Sequence, residues 1–233
     1  MPQVKEIMRD LTAIVIGATG QTGELLVEKL LHDNAFGKIR VLARKEINNT
    51  DKNPKLESVI VNFSNLTELK KAIVHGDIIF SCIGTTMKSV KGNKQLYRSI
   101  DYDINVNCAK LGYENGVSKF VLMSAIGANA ASSNFYLKLK GETEQAVASV
   151  SFESIHMMQP SMLLGKRKEH RAGESVAKVI SKAISFLLVG RLQKYKPIES
   201  ATVAEAMIAA SKLSVKGVHR YVYADMMELV SVK

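Results

Sequence analysis

Three side chains in the middle of the chain have types and spacing suited to proton transfer. Tyr136 and Lys140 are four residues apart, which predicts that they share one face of a helix. A free tyrosine has a pKa of about 10, and a nearby ammonium that favours phenolate brings proton exchange closer to neutral pH. Ser124 ends a predicted strand twelve residues before Tyr136, where its hydroxyl can orient a substrate oxygen. The spacing alone leaves a surface tyrosine beside a solvated lysine as the alternative.

A glycine-rich segment, Gly-Ala-Thr-Gly-Gln-Thr-Gly at 17–23, lies between an apolar run and a helical pattern. Glycine is required where φ is positive, or where a Cβ would block a phosphate or the packing of helix on strand. The N–H groups that open the helix, with its dipole, suit a pyrophosphate. The predicted cofactor contacts in this turn are Gly17, Thr19, Gly20, Gln21, Thr22 and Gly23. A plain glycine turn is the alternative, and the flanking strand and helix make dinucleotide binding the favoured interpretation.

Further cofactor contacts are predicted where other strands end, because ligands of open α/β sheets lie at the carboxyl ends of strands. Arg44 and Lys45 follow the second strand, where a free ribose 2′-hydroxyl calls for Asp or Glu. Arg44 can pair bidentately with a 2′-phosphate, which favours NADP(H) over NAD(H). Asn62, after the third strand, offers an acceptor to the adenine amino group, and Lys140 offers its ammonium to the nicotinamide ribose. The other predicted contacts are Phe63, Cys82, Ile83, Gly84, Thr85, Tyr136 and Pro160.

The elements that must position these residues alternate between apolar runs and helical patterns. Strands are predicted at 12–17, 38–43, 56–61, 77–82, 119–124, 154–159 and 220–224, and helices at 22–33, 67–74, 99–115, 136–149, 174–189 and 202–213. Several of the strands are apolar throughout, as expected for strands buried on both faces. The pattern predicts an α/β protein with a Rossmann-like, doubly wound parallel sheet. We expect a single NAD(P)-binding domain over 1–233, with 160–200 contributing a small cap on the substrate side.

Composition narrows the function classes. The chain has two cysteines, Cys82 and Cys108, outside any metal-ligand spacing, which predicts a reduced cytoplasmic protein without a structural metal. No signal peptide is expected at the N-terminus, and no apolar run approaches the roughly 20 residues of a membrane span. The net charge of +10 raises nucleic acid as a partner. We disfavour it because aromatic residues are few and do not interleave with the basic cluster at 166–171, which we interpret as a solvated loop.

In these motifs the chain resembles the atypical branch of the short-chain dehydrogenase/reductase superfamily. The segments CIGTT at 82–86, SSNFYLKLKGE at 132–142 and PSMLLGKR at 160–167 are most similar to the Tat-interacting-protein oxidoreductase family. The resemblance implies NADP(H) in a Rossmann fold, with Ser124, Tyr136 and Lys140 as the catalytic set. Two positions depart from the superfamily pattern. Asn62 stands where the branch often has Asp, and Asp101 stands at the comparable place of a catalytic asparagine.

Two functions from different classes follow. The first is an NADP(H)-dependent oxidoreductase that transfers hydride between nicotinamide and a small carbonyl or alcohol, with Tyr136 as the acid/base. The second is an NADP(H)-binding regulatory protein with little or no turnover, whose cofactor occupancy changes its affinity for a protein partner. The presence of the tyrosine–lysine pair favours the enzyme. We expect a monomer or a homodimer, and the sequence does not identify a substrate.

Overall fold

The structure is a computed structural model that describes residues 10–47, 53–165 and 188–231. The strands are β1 Leu11–Ile16, β2 Phe36–Ala43, β3 Leu56–Ile60, β4 Ile78–Ser81, β5 Lys119–Met123, β6 Ser154–Met158, β7 Leu163–Leu164, β8 Ile198–Glu199 and β9 Gly217–Tyr221. Seven of them form a parallel sheet in the order β3-β2-β1-β4-β5-β6-β9. This is the doubly wound arrangement, with its change of winding direction between β1 and β4.

Helices cover both faces of the sheet. Their bounds are α1 Gln21–Leu31, α2 Leu66–Ala72, α3 Lys94–Arg98, α4 Ile104–Glu114, α5 Phe135–Ala148, α6 Ser200–Ser211 and α7 Tyr223–Ser231. A π-helical turn, Ser99–Asp103, joins α3 to α4, and a 3₁₀ turn, Gly190–Tyr195, precedes β8. The short strands β7 and β8 pair with each other in a separate two-stranded sheet.

The apolar strands form because each of them is buried on two sides. Side chains of β1, β2 and β5 that face α1 and α6 join a core that includes Leu26, Ile39 and Met207. The alternate side chains of the sheet pack with α2, α4 and α5 in a second core, which includes Leu122 and Val147. Burial on both faces removes the polar alternation expected of a solvent-exposed sheet, which is why the predicted strands were apolar throughout. The predicted Rossmann-like fold is confirmed.

Most predicted elements lie within two residues of the observed ones, and two predictions were wrong. The last strand is Gly217–Tyr221 rather than 220–224, because Gly217 pairs with Ser154 and thereby sets the register on β6. The residues that follow form α7, a helix that was not predicted. The helix predicted at 99–115 begins earlier, at Lys94, and contains the π turn. The helix predicted at 174–189 and the basic cluster at 166–171 lie almost wholly outside the described residues.

Candidate active site

The glycine turn between β1 and α1 depends on close backbone contacts. Gly17 has φ of +80°, and a Cβ on it would lie 2.6 Å from the carbonyl carbon of Cys82 on the neighbouring strand end. A Cβ on Gly23 would lie 2.1 Å from the carbonyl oxygen of Gly17. Both positions therefore exclude any larger residue, because the backbone of β1, β4 and α1 meets there.

The middle glycine of the turn leaves open space instead. The closest atom to a Cβ on Gly20 would be the Gly17 carbonyl oxygen, at 3.4 Å. Gly20 is exposed and is the N-cap of α1, and within the described ranges no side chain caps this helix terminus. An uncapped helix N-terminus beside an open glycine fits a pyrophosphate, whose charge interacts favourably with the N–H groups and the helix dipole. Thr19 is exposed at the same turn, whereas Thr22 is buried beneath it.

Gln21 connects the glycine turn to the small two-stranded sheet. Its side-chain amide donates to the Leu164 carbonyl oxygen at 2.9 Å and to Ser200 Oγ at 2.6 Å. The same amide lies 2.6 Å from where a Cβ of Gly165 would be, and Gly165 has φ of +136°. Gln21 is also a predicted cofactor contact, and in this structure its amide holds β7 and the start of α6 against α1.

The residues predicted to recognise the adenosine end follow β2 and β3. Arg44 and Lys45 are both exposed just after β2, and Phe63 is buried. The side-chain oxygen of Asn62 accepts a hydrogen bond from the Ser64 backbone N–H at 3.0 Å. A contact from adenine would therefore use the second lone pair of that oxygen. The side chain of Asn62 thus forms a hydrogen bond within the turn after β3, whereas Arg44 and Lys45 after β2 are exposed to solvent.

The end of β4 passes directly beside the glycine turn. The Cys82 backbone N–H donates to Ile16, and its thiol lies 3.8 Å from the sulfur of Met207. Burial raises the pKa of Cys82 to about 12, so the thiol stays protonated at neutral pH. Ile83 is half-buried and Gly84 is exposed, so the backbone of this strand end is partly open to solvent.

Helix α5 presents Tyr136 and Lys140 on one face. Its N-terminus is capped by Asn134, whose side chain accepts from the Leu137 N–H. A Cβ on Gly141 would come within 2.6 Å of three backbone atoms of Asn129 and Ala130, so the loop after β5 rests directly on the helix. Tyr136 is 41% exposed, while Lys140, one turn further along the helix, is buried. The tyrosine is open to a ligand, and the lysine lies beneath it.

The Lys140 ammonium pairs with Asp101, which lies in the π turn between α3 and α4. The distance from Nζ to Oδ1 is 3.2 Å, and both side chains are almost fully buried. The other carboxylate oxygen of Asp101 accepts from the Thr85 N–H at 2.8 Å. Burial raises the pKa of Asp101, and the charge of Lys140 acts against that rise. Asn105, one turn later, donates to the Asp101 carbonyl and so helps to hold the π turn.

Ser124 makes an unpredicted contact with a carboxylate on α5. Its hydroxyl donates to Glu144 Oε1 at 2.5 Å, and both residues are buried. Glu144 is on α5, four residues after Lys140, so extending the four-residue spacing by one step would have identified it. Pro160, predicted as a cofactor contact, is buried, and its carbonyl accepts from the Ile126 N–H in the loop after Ser124.

Comparison with known proteins identifies the family of this chain. Residues 17–212 match the model of a family described as NAD(P)H-binding. The chain belongs to this NAD(P)H-binding family. The protein FMP52, mitochondrial, of Candida albicans is 32% identical over 211 residues, which cover 89% of this chain and 90% of that protein. The protein HTATIP2 of Rattus norvegicus is 31% identical, over 73% of this chain and 70% of that protein. The resemblance to the atypical short-chain dehydrogenase/reductase group is thereby confirmed.

Solved structures confirm the fold of this NAD(P)H-binding protein. The ADP-L-glycero-D-manno-heptose-6-epimerase of Helicobacter pylori matches with a TM-score of 0.68 and 18% identity, covering 99% of this chain and 84% of that chain. MoeE5 in complex with UDP-glucose and NAD matches with a TM-score of 0.69 and 13% identity, covering 94% and 80%. At this level of identity the likeness concerns the fold alone.

The relatives overturn the expected cytoplasmic location. Several proteins of similar sequence, from Candida albicans, Debaryomyces hansenii, Coccidioides immitis and Eremothecium gossypii, are named as mitochondrial. The cytoplasmic prediction was wrong because scarce, unpaired cysteines argue only against an oxidising compartment and do not distinguish between the others. Among the helices of the described ranges, none has the length and apolar character needed to cross a membrane.

Proposed function

We propose that this protein is an NADP(H)-dependent oxidoreductase that transfers hydride between nicotinamide and a small carbonyl or alcohol. The observation that carries the proposal is the exposed Tyr136 one helical turn before the buried Lys140 on α5. These residues lie at the same carboxyl edge of the sheet as the glycine turn. A dinucleotide that extends along this edge brings its nicotinamide end toward them.

The residues that would hold the cofactor differ along its length. The turn around Gly20 suits the pyrophosphate, Arg44 and Lys45 suit a 2′-phosphate, and Lys140 suits the nicotinamide ribose. When bound, the cofactor supplies or accepts the hydride. Arg44 supports NADP(H) over NAD(H) because its guanidinium can make two parallel hydrogen bonds to a phosphate, which a ribose hydroxyl does not offer.

Tyr136 acts as the acid/base in this proposal. In the reducing direction its phenol donates a proton to the carbonyl oxygen as hydride reaches the carbonyl carbon, and in the oxidising direction it takes the proton of the alcohol. The Lys140 ammonium lies one helical turn away and stabilises the phenolate that remains after proton donation. The segments around 160–165 and 188–200 would border the substrate, because they follow β6 and lead into α6.

The test is NADPH oxidation by the purified protein against a panel of aldehydes and ketones. We expect turnover with at least one compound, and we expect Tyr136→Phe to reduce kcat by about a thousandfold or more while NADPH affinity stays within about twofold. Tyr113→Phe is the control, since Tyr113 is an equally exposed tyrosine on α4. Full activity of Tyr136→Phe would reject the assigned acid/base.

A regulatory protein that binds NADP(H) without turnover is the second candidate. The buried pair of Lys140 and Asp101 supports it, because an ammonium already engaged by a carboxylate has less effect on the tyrosine. Tight NADPH binding by calorimetry, together with no NADPH consumption across the panel, would favour this function over the enzyme.

For cellular location, we propose mitochondria, on the strength of the names of the relatives. Because the described residues carry no information about targeting, the support comes from the relatives alone. Fractionation of cells that express the full chain tests the proposal. Recovery of the protein with mitochondrial markers is the expected result, and recovery only with cytosolic markers would contradict it.

A further inference from the structure

A groove on the α1 side of the sheet lies away from the proposed active site. It has a volume of about 1180 Å³, and it is bordered by the C-terminal halves of α1 and α6, by β9 and by α7. Its apolar lining includes Ile208, Leu213, Val218, Tyr221 and Leu229. Val218 is 39% exposed and lies on the last strand of the sheet order. The described residues thus leave apolar surface uncovered here, which is typical of a docking site.

The charged side chains around this groove are unequally paired. Lys29 pairs with Glu205 at 2.8 Å, and the other lysine of the lining, Lys212, also has a carboxylate partner. The arginine of the lining pairs with a buried glutamate on α5. Glu28 on α1 and Glu228 on α7 are exposed, and their side chains have no hydrogen bond or ion pair among the described residues. In a chain of net charge +10, the groove therefore has unpaired negative charge on two of its sides.

The described chain begins at the margin of this groove. The Leu11 N–H donates to the Ala35 carbonyl oxygen at 2.9 Å, and Asp33, two residues before Ala35, lines the groove. The N-terminal segment, residues 1–9, precedes Asp10 and spans at most about 30 Å when extended. Strand β9 lies four strand positions from β1, which is about 19 Å. The N-terminal segment is thus long enough to reach each element that lines the groove.

The sequence of the N-terminal segment complements the groove. Val4, Ile7 and Met8 supply apolar side chains, and Lys5 and Arg9 supply two cations against a single acidic residue. The apolar side chains match the uncovered lining, and the cations match the unpaired glutamates. Because the segment is attached at the margin of the groove, its local concentration there is on the order of millimolar, so weak contacts are sufficient for docking.

We propose that this groove is the docking site of the N-terminal segment of the same chain, with the apolar side chains on the lining and the cations beside Glu28 and Glu228. The docked segment covers the surface that α6 and α7 leave open beside β9. The proposal is independent of the oxidoreductase function, since none of the residues involved belongs to the proposed active site.

The test is disulfide trapping in the full chain, with oxidised glutathione as the oxidant. Ile7→Cys is combined with Ala209→Cys, a half-buried alanine of the groove. The matched control combines Ile7→Cys with Ala146→Cys, a half-buried alanine near the C-terminal end of α5 on the opposite face of the sheet. A docked segment keeps the first pair of thiols close enough to form a bond. We expect the first pair to form an intramolecular disulfide at least about tenfold faster than the control pair.

Mass spectrometry of the digested protein identifies which cysteines are linked, the native Cys82 and Cys108 included. The rate for the groove pair should not depend on protein concentration. Equal rates for the two pairs would overturn the proposal and leave the groove for a separate partner protein. A disulfide between two copies would also overturn it, because the groove would then hold the segment of a second copy.

Reversal of charge beside the groove tests the ionic part of the proposal. Glu28→Lys together with Glu228→Lys should slow disulfide formation by the groove pair about fivefold, because the cations of the segment then face cations. Asp103→Lys makes the same kind of charge change at an exposed position outside the groove, and should change the rate by less than about twofold. Equal slowing by the two sets of changes would remove the assigned role of the glutamates.

A second measurement keeps the proposal testable should a cysteine variant fail to fold. Hydrogen exchange is followed in the peptide that covers 205–214, on α6 and just after it. Ile7→Asp should raise the exchange rate of this peptide about fivefold, because an undocked segment no longer protects it. Gln3→Asp adds the same charge without removing an apolar side chain, and should change the rate by less than about twofold. Unchanged exchange in Ile7→Asp would overturn the proposal.

Discussion

The two sides of the proposed active site differ in composition: one is formed mainly by backbone groups and the other mainly by side chains. Around Gly20 the surface is backbone: a helix N-terminus, strand ends and glycines that lack a Cβ. Along α5 it is side chains, with two buried carboxylates, Asp101 and Glu144, each paired with a cation. The backbone side tolerates no added atom at its closest contacts. The side-chain side depends on charge and protonation, so the two sides should respond to different perturbations.

The largest expected effect is on the backbone side. Gly23→Ala introduces a Cβ that would lie 2.1 Å from the Gly17 carbonyl oxygen, so the strand and helix must separate. We expect the free energy of unfolding to fall by about 4 kcal/mol or more, measured by chemical denaturation. Gly20→Ala is the control within the same turn: its Cβ has room, so stability changes by less than about 1 kcal/mol. Equal destabilisation by both variants would contradict this account of the turn.

A buried histidine of the sheet should also make stability depend on pH. His156 on β6 is fully buried and bonded to the Tyr221 hydroxyl and Ser154 Oγ, and burial lowers its pKa to about 4, helped by His219 and Lys119. The unfolded chain, with a histidine pKa near 6.5, binds a proton that the folded state rejects. The stabilising effect is therefore complete above about pH 6.5 and is lost as the pH falls toward 4. The loss amounts to roughly 3 kcal/mol.

Denaturation curves between pH 7.5 and 4 check this expectation. His156→Gln should remove most of the dependence that lies between pH 6.5 and 4, since glutamine does not titrate. His219→Gln, on the neighbouring strand, should keep most of it, because burial is the main cause of the lowered pKa of His156 and His219 only adds to it. A wild-type protein whose stability is constant across this range would show that His156 is not held neutral by the fold.

The preference for NADPH over NADH tests the two cations that follow β2, next to the glycine turn. Arg44→Ala should weaken NADPH binding about thirtyfold and leave NADH binding within about twofold, because a bidentate charge-assisted pair with the 2′-phosphate is lost. Lys45→Ala should have a smaller effect, since an ammonium acts only as a point charge. Calorimetric titration with both cofactors measures the difference. Equal loss for NADPH and NADH would assign Arg44 to another part of the cofactor.

The smallest expected effect concerns the charge beneath Tyr136. Asp101→Asn removes a buried negative charge beside Lys140 and frees the ammonium for an anionic ligand, so NADPH affinity should rise about fivefold. Asp103→Asn, two residues later and exposed, is the control and should change the affinity by less than about twofold. Fluorescence titration is sufficient for the measurement. A weaker affinity in Asp101→Asn would mean that Asp101 holds Lys140 in its binding position.

The difference between local constraints and packing explains which predictions from the sequence were confirmed. The six strands from β1 to β6 were predicted because apolar, β-branched runs have few alternatives to burial in a parallel sheet. The C-terminal region was misassigned at 220–224 because Val-His-Arg-Tyr-Val-Tyr favours a strand over several registers, and only pairing with β6 selects Gly217–Tyr221. The π turn that directs Asp101 at Lys140 has no local sequence signal, because one extra residue per turn is a response to packing.

By itself, the sequence determined the fold class, the glycine turn and the spacing of Tyr136 and Lys140. These features depend on local constraints: backbone conformation, hydrophobic periodicity and the geometry of a single helix. Only the tertiary structure decided which charges meet. Asp101 forms an ion pair with Lys140 from another helical segment. Glu144 accepts hydrogen bonds from Ser124, Gln159 and Arg220, which lie on or just after three different strands. Contacts between distant segments depend on how the layers pack, and that information is not contained in any one segment of the chain.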